Sequence, residues 1–125
     1  MITLATLEQA TAQEVFDQVA KHMLTQKAQC ALEDGVCAYR GNDGLKCAAG
    51  CLISDEEIET YWNVLPWISL INRGIAPDKH RRLISELQAI HDSPYFNPKE
   101  DWQRELRNIA GRHELSYAVV NETYG

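Results

Sequence analysis

Four cysteines are the residues of this chain best suited to do chemistry. Cys30, Cys37, Cys47 and Cys51 sit close together, three of them inside "VCAYRGNDGLKCAAGCLISDEE". Thiolates bind zinc or attack electrophiles. Zinc knuckles present ligands in close pairs, two to four residues apart, because each bends its backbone around one ion. Here the intervening gaps are six, nine and three residues, so only Cys47 and Cys51 form such a pair. His22 could add a ligand, but nothing in its spacing calls for it. A Cys30/Cys37/Cys47/Cys51 zinc site is therefore an alternative rather than the leading reading, and no cofactor is expected. A nucleophilic thiol needs a base or a helix N-terminus to lower its pKa. Lys46 adjoins Cys47 and His91 lies elsewhere in the chain, but no nucleophile signature surrounds either. A thiol-dependent enzyme ranks last. The favoured reading is that cysteine acts here as a small buried apolar residue.

Other chemistry-bearing residues give less. His91 and Asp92 are adjacent, and neighbours on a helix do not face each other. There is no glycine-rich phosphate loop, no paired-carboxylate motif and no helical metalloprotease signature, so the reading leans away from an enzyme. Lys79, His80, Arg81 and Arg82, with Arg104, Arg107 and Arg112, could line up as a cationic strip. Asp78, Glu86, Glu100, Asp101 and Glu105 are placed to balance it. "LRNIAGRHELSYAVV" has the outline of a helix-turn-helix. The segment that would enter the groove, "SYAVVNETYG", carries no Lys or Arg, and duplex affinity rests on phosphate neutralisation. Nucleic acid is therefore not the expected partner, and a small zinc- or nucleic-acid-binding regulatory module stays as the alternative function.

The charge is uneven. The chain of 125 residues carries −6 overall. Residues 1–60 hold 4 Lys/Arg against 10 Asp/Glu, and residues 61–125 hold 8 of each. An acidic half repels phosphate backbones and attracts a basic protein surface. Glu33, Asp34, Asp43, Asp55, Glu56, Glu57 and Glu59 are the candidate binding patch. No apolar run is long enough to span a bilayer, and "MITLATLEQATAQEV" lacks a basic n-region. A cytoplasmic location away from membranes is expected.

These residues must be positioned by ordinary elements. Residues 1–10 read as a docked N-terminal arm. "TAQE" is a capping box at Thr11 and Glu14. Val15, Phe16, Val19, Ala20, Met23 and Leu24 follow at helical spacing, which predicts a helix over 12–26. Asp34-Gly35 is a turn dipeptide, and "VCAYR", "GNDG" and "LKC" read as strand, turn and strand. That predicts a β-hairpin around 36–47. "SDEE" is a second capping box and predicts a short helix at 55–62. Pro66 and Gly74 bound another near 66–73. Helices over 77–91 and 98–112 read as an antiparallel helical hairpin, broken by "HDSPYFNP". The expected fold is α+β: one mostly helical domain over 1–125 with the small hairpin pinned against it by Cys37, Tyr39, Cys47, Leu52 and Ile53.

The recurring set "CAYRGNDGLKCAAGCLISDEE", "LISELQAIHD" and "DWQRELRNIAGRHEL" resembles a family of small uncharacterised proteins carried by bacteriophages and prophages. The resemblance lies in Cys37, Tyr39, Arg40, Gly44, Lys46, Cys47, Ala48, Gly50, Leu52 and Ile53, followed by an acidic helix start. It covers about residues 12 to 116. It implies a viral or mobile-element accessory protein, and proteins of this kind act by binding a host protein. Cys30 lies outside that pattern, and Cys51 is not essential to it.

Overall fold

The computed structural model describes residues 1–30 and 38–122. Among the described residues, four α-helices carry the fold: α1 (Ala12–Gln26), α2 (Trp67–Asn72), α3 (Arg81–Asp92) and α4 (Trp102–Arg112). Short 3₁₀ turns join them, at Leu7–Gln9, Asn42–Gly44, Ala49–Leu52, Thr60–Val64 and Ala118–Asn121.

α1 begins where its side chains can satisfy the orphan N–H groups of a helix start. The Thr11 hydroxyl accepts from the Glu14 N–H at 3.1 Å, and the Glu14 carboxylate accepts from the Thr11 N–H at 2.9 Å. α1 then buries Val15, Phe16, Val19, Ala20, Met23 and Leu24. α3 supplies Leu83, Ile84, Leu87 and Ile90, and α4 supplies Trp102, Leu106, Ile109 and Ala110. α1, α3 and α4 pack on one another around these stripes, and the 3₁₀ turn at Ala118–Asn121 closes on α1 and α4. α2 rests on α3.

The α+β expectation is corrected. The described residues contain no strand. Of the predicted hairpin at 36–47, residues 36 and 37 lie outside the described residues. The remainder holds a single antiparallel bridge between Arg40 and Lys46. The tip is a turn, with Asp43 and Gly44 both at positive φ (59° and 75°) and Gly41 N–H bonded to Leu45 C=O. The ladder stops because the next pair is diverted: Ala38 N–H donates to Cys30 C=O at 3.2 Å, and Ala48 already has helical dihedrals; the outward groups of Lys46 are met from α1. Lys46 N–H donates to Gln26 Oε1 at 3.0 Å, and Lys46 C=O accepts from Gln26 Nε2 at 2.8 Å. One side-chain amide on α1 thus takes the place of a strand partner. α1 repeats the device twice. Gln18 bonds both the N–H and C=O of Ile2, and Gln13 bonds both the N–H and C=O of Ser116.

Three element boundaries also differ from expectation. The capping-box bonds of Ser54 and Glu57 form, yet they close only a turn, and the next element is the 3₁₀ turn at Thr60–Val64. Glu57 spends its other bonds on the arm, accepting from Leu4 and Ala5 N–H at 3.0 Å each. α3 starts at Arg81 rather than 77, because His80 is left-handed (φ 66°). His80 and Lys79 reach back to the carbonyls of Ala10 and Glu8. Residues 98–101 form a turn capped by the Asn97 side chain before α4 proper begins.

Candidate functional site

The corner around residues 39–53 collects most of the sequence motif. Its centre is Arg40. The guanidinium donates to the carbonyls of Tyr39 (3.2 Å), Gly50 (2.8 Å) and Ile53 (2.6 Å), and pairs with Asp55 at 3.1 Å. A planar fork of fixed donors suits such a fan of carbonyls, and a lysine would not replace it. Gly50 lies so close to Tyr39 that a Cβ there would sit 2.4 Å from the Tyr39 carbonyl oxygen. Tyr39 donates its hydroxyl to Leu65 C=O at 2.7 Å and meets Trp67 edge to face. Burial pushes its phenol well above the usual range.

The described thiols belong to this corner and are held as thiols. Cys30 donates to Leu45 C=O and Cys51 to Ala48 C=O, while Cys47 Sγ accepts from Gly50 N–H. Burial pushes Cys30 up to about 11, Cys51 up to about 12 and Cys47 higher still. Metal ligation and nucleophilic attack both need the thiolate. Among the described residues no three His, Cys, Asp or Glu side chains come together as a metal site. Cys37 lies outside the described residues.

Two imidazoles, half-buried His22 and buried His91, serve the backbone. His22 faces the Lys46 carbonyl at 2.9 Å, and burial lowers its pKa from the usual value of 6.5. His91 is fully buried. Cys30 N–H donates to its Nε2 at 3.2 Å, which assigns the ring proton to Nδ1, facing Asp92 at 2.8 Å. Trp102 stacks at a tilt over the same ring, with centroids 5.5 Å apart. The imidazole is thus engaged by a backbone amide rather than a thiol. Adjacency in sequence was a poor guide to the His91–Asp92 pair: the two side chains do meet, although on different jobs from acid–base exchange with a substrate.

A groove opens beside this corner, with a volume of about 480 Å³. One wall is the stretch from Asn63 to Ile68, and the other is the α3 face carrying Ser85, Gln88, Ala89 and Asp92. That α3 spacing puts all four on one side of the helix. Buried Tyr39, Cys47 and Trp67 form the floor. Most of the lining is apolar. Val64 (69%) and Ile68 (38%) stay exposed on the rim, with Tyr61 (57%) one turn earlier. The indole N–H of Trp67 is buried without an acceptor among the described residues, as are those of Trp62 and Trp102. Sequence reading missed this groove. The apolar residues around Pro66 carry the signal, but Pro66 and Gly74 read only as the bounds of a short helix.

The seven acidic candidates separate. Glu33 and Asp34 lie outside the described residues. Asp55 is exposed but paired with Arg40 and, at 3.9 Å, Lys46. Glu57 is consumed by three backbone N–H groups. Partial burial raises its pKa, and those bonds outweigh it and lower the pKa overall. Asp43, Glu56 and Glu59 remain exposed. The cationic strip is likewise engaged. Arg82, Arg112 and His113 converge on Glu86 across α3 and α4, Arg81 pairs with Asp78, Arg104 with Asp101 and Glu105, and Arg107 bonds Asn121. Among the described residues, no helix is long and apolar enough to cross a membrane. Compared with family models, curated proteins and solved structures, the chain finds no match.

Proposed function

We propose that the chain is an accessory protein of a phage or mobile element that acts by binding a host protein through an acidic surface. One observation carries this reading. Exposed Glu56 and Glu59 lead within a few residues into exposed Tyr61, Val64, Pro66 and Ile68. A solvated surface serving only solubility has no use for a contiguous apolar edge, and such edges mark interaction sites. Charge at the border steers a partner and fixes its register, while the apolar part supplies affinity. Among the described residues, by contrast, Cys30, Cys47, Cys51, His22 and His91 each engage a backbone group.

The geometry also selects the variant that tests the reading. Reversing Asp55 or Glu57 would break the Arg40 clamp or release the arm. Glu56→Lys with Glu59→Lys alters only exposed charge. Intact chain immobilised against bacterial host lysate should retain one partner protein. Retention should fall at least ~10-fold in the double variant and weaken with added salt. A partner kept equally by both forms removes the acidic surface from the reading.

A further inference from the structure

We infer that the groove between Asn63–Ile68 and α3 seats a large apolar side chain from a basic segment of the partner. This deepens the binding reading above and rests on it. The groove volume of about 480 Å³ lies within the roughly 300–1,000 Å³ of clefts that hold ligands. Its walls are Val64, Leu65, Pro66, Ile68 and Ala89, so what they cover best is hydrocarbon.

Charge selects the occupant. The one charged side chain among the described lining residues is Asp92, an anion. The wall at Asn63 and Val64 continues directly from the turn that carries exposed Glu59, and Glu56 precedes it. An apolar anchor flanked by Lys or Arg therefore meets complementary potential on entry. A second copy of this chain does not. An isologous contact would bring two copies of the same acidic border to one interface with no basic surface to meet it, in a chain already at −6. Polar groups set the register: Ser85 and the side-chain amide nitrogen of Asn63 line the groove beside the apolar wall and can meet a peptide backbone, whereas Gln88 already bonds Ala49 N–H and Asp92.

The test uses intact chain and displayed random dodecapeptides as the probe. Enriched peptides should pair a large apolar residue with Lys or Arg. Their affinity, read by fluorescence anisotropy of labelled synthetic copies, should fall at least ~10-fold in Ala89→Trp, which fills the groove from an exposed position on α3. Ser85→Trp, also exposed, does the same if the first variant folds poorly. Acidic or wholly polar winners, no enrichment, or affinity unmoved by both tryptophan variants would overturn the proposal. So would a concentration-dependent dimer that Ala89→Trp abolishes, since it names a second copy as the occupant. Host partner lost by Glu56→Lys/Glu59→Lys but kept by both tryptophan variants leaves the acidic surface standing and ends the groove proposal alone.

Discussion

The Tyr39–Ile53 corner and the α3–α4 pair hold themselves together in different ways. The helical pair is built on repetition. Leu83, Ile84, Leu87 and Ile90 meet Trp102, Leu106, Ile109 and Ala110 as two apolar stripes, with Glu86 tying the outer edge to Arg112 and His113. The corner has almost no repeating structure. It is held by side chains that satisfy backbone groups one at a time: Arg40 on three carbonyls, Gln26 and His22 on Lys46, Gln88 on Ala49 N–H. Burial is tolerant of which apolar residue supplies it, whereas a buried carbonyl is satisfied only by a donor in one place. The corner should therefore be the more exacting part of the molecule, residue for residue.

Substitutions can break or sharpen that contrast. The largest effect should come from the helical pair: Leu106→Ala removes a fully buried side chain and should cost about 2–5 kcal/mol of unfolding free energy in a denaturant titration. Leu106→Met should recover most of it, as volume-conserving swaps do. Gly50→Ala adds one carbon and should still cost about 1–3 kcal/mol, since the Tyr39 backbone has to move. A neutral result there would mean that the corner is slack. Gln26→Met keeps length but leaves Lys46 N–H without its acceptor and its carbonyl with His22 alone, for about 1–2 kcal/mol. Gly111→Ala makes the same chemical change as Gly50→Ala in the other region. Nothing lies within 4 Å of its added carbon, and this helical site should gain about 0.5–1 kcal/mol. Opposite signs at the two glycines would be the cleanest support for the contrast.

The smallest effect is visible only as a slope. Burial depresses the His22 pKa below 6.5, opposed by its bond to the Lys46 carbonyl. As pH falls below about 6.5 the unfolded chain takes up this proton first, so stability drops until the folded value is reached. Glu57 and Glu86 are depressed as well, despite partial burial, by the N–H groups of Ser54, Leu4 and Ala5 and by Arg112, His113 and Arg82. Their contribution is full above about 4.5 and is lost as pH falls through their folded values. His22→Gln should flatten the upper part of a stability–pH curve and leave the acid limb unchanged. A curve identical to that of the parent chain would mean that His22 is solvated.

What could be read in the sequence follows the same division. α1, α3 and α4 announce themselves, because their apolar residues recur at helical spacing and Thr11 with Glu14 marks a start. The corner does not. "VCAYR–GNDG–LKC" has the composition of a hairpin, and its Asp43–Gly44 turn forms. The ladder ends after one bridge because Ala38 N–H turns to Cys30 C=O and Ala48 turns helical, which no local pattern announces. Gln13, Gln18 and Gln26 look like ordinary half-exposed polar residues, and no local pattern reveals that each will hold a distant main chain. The acidic patch fails to stay whole for the same reason, since Asp55 and Glu57 are claimed by Arg40 and the arm. The groove escapes sequence reading because its two walls, near 65 and near 89, meet only in three dimensions.

Glu57 has a consequence for how the chain is made. It lies 52 residues beyond Ala5, whose N–H it receives. At ribosomal speeds of ~5–20 residues per second, that interval lasts ~3–10 s. Until that carboxylate is made, Leu4 and Ala5 N–H lack their partner from the corner, so the docking of this stretch is a late event in synthesis.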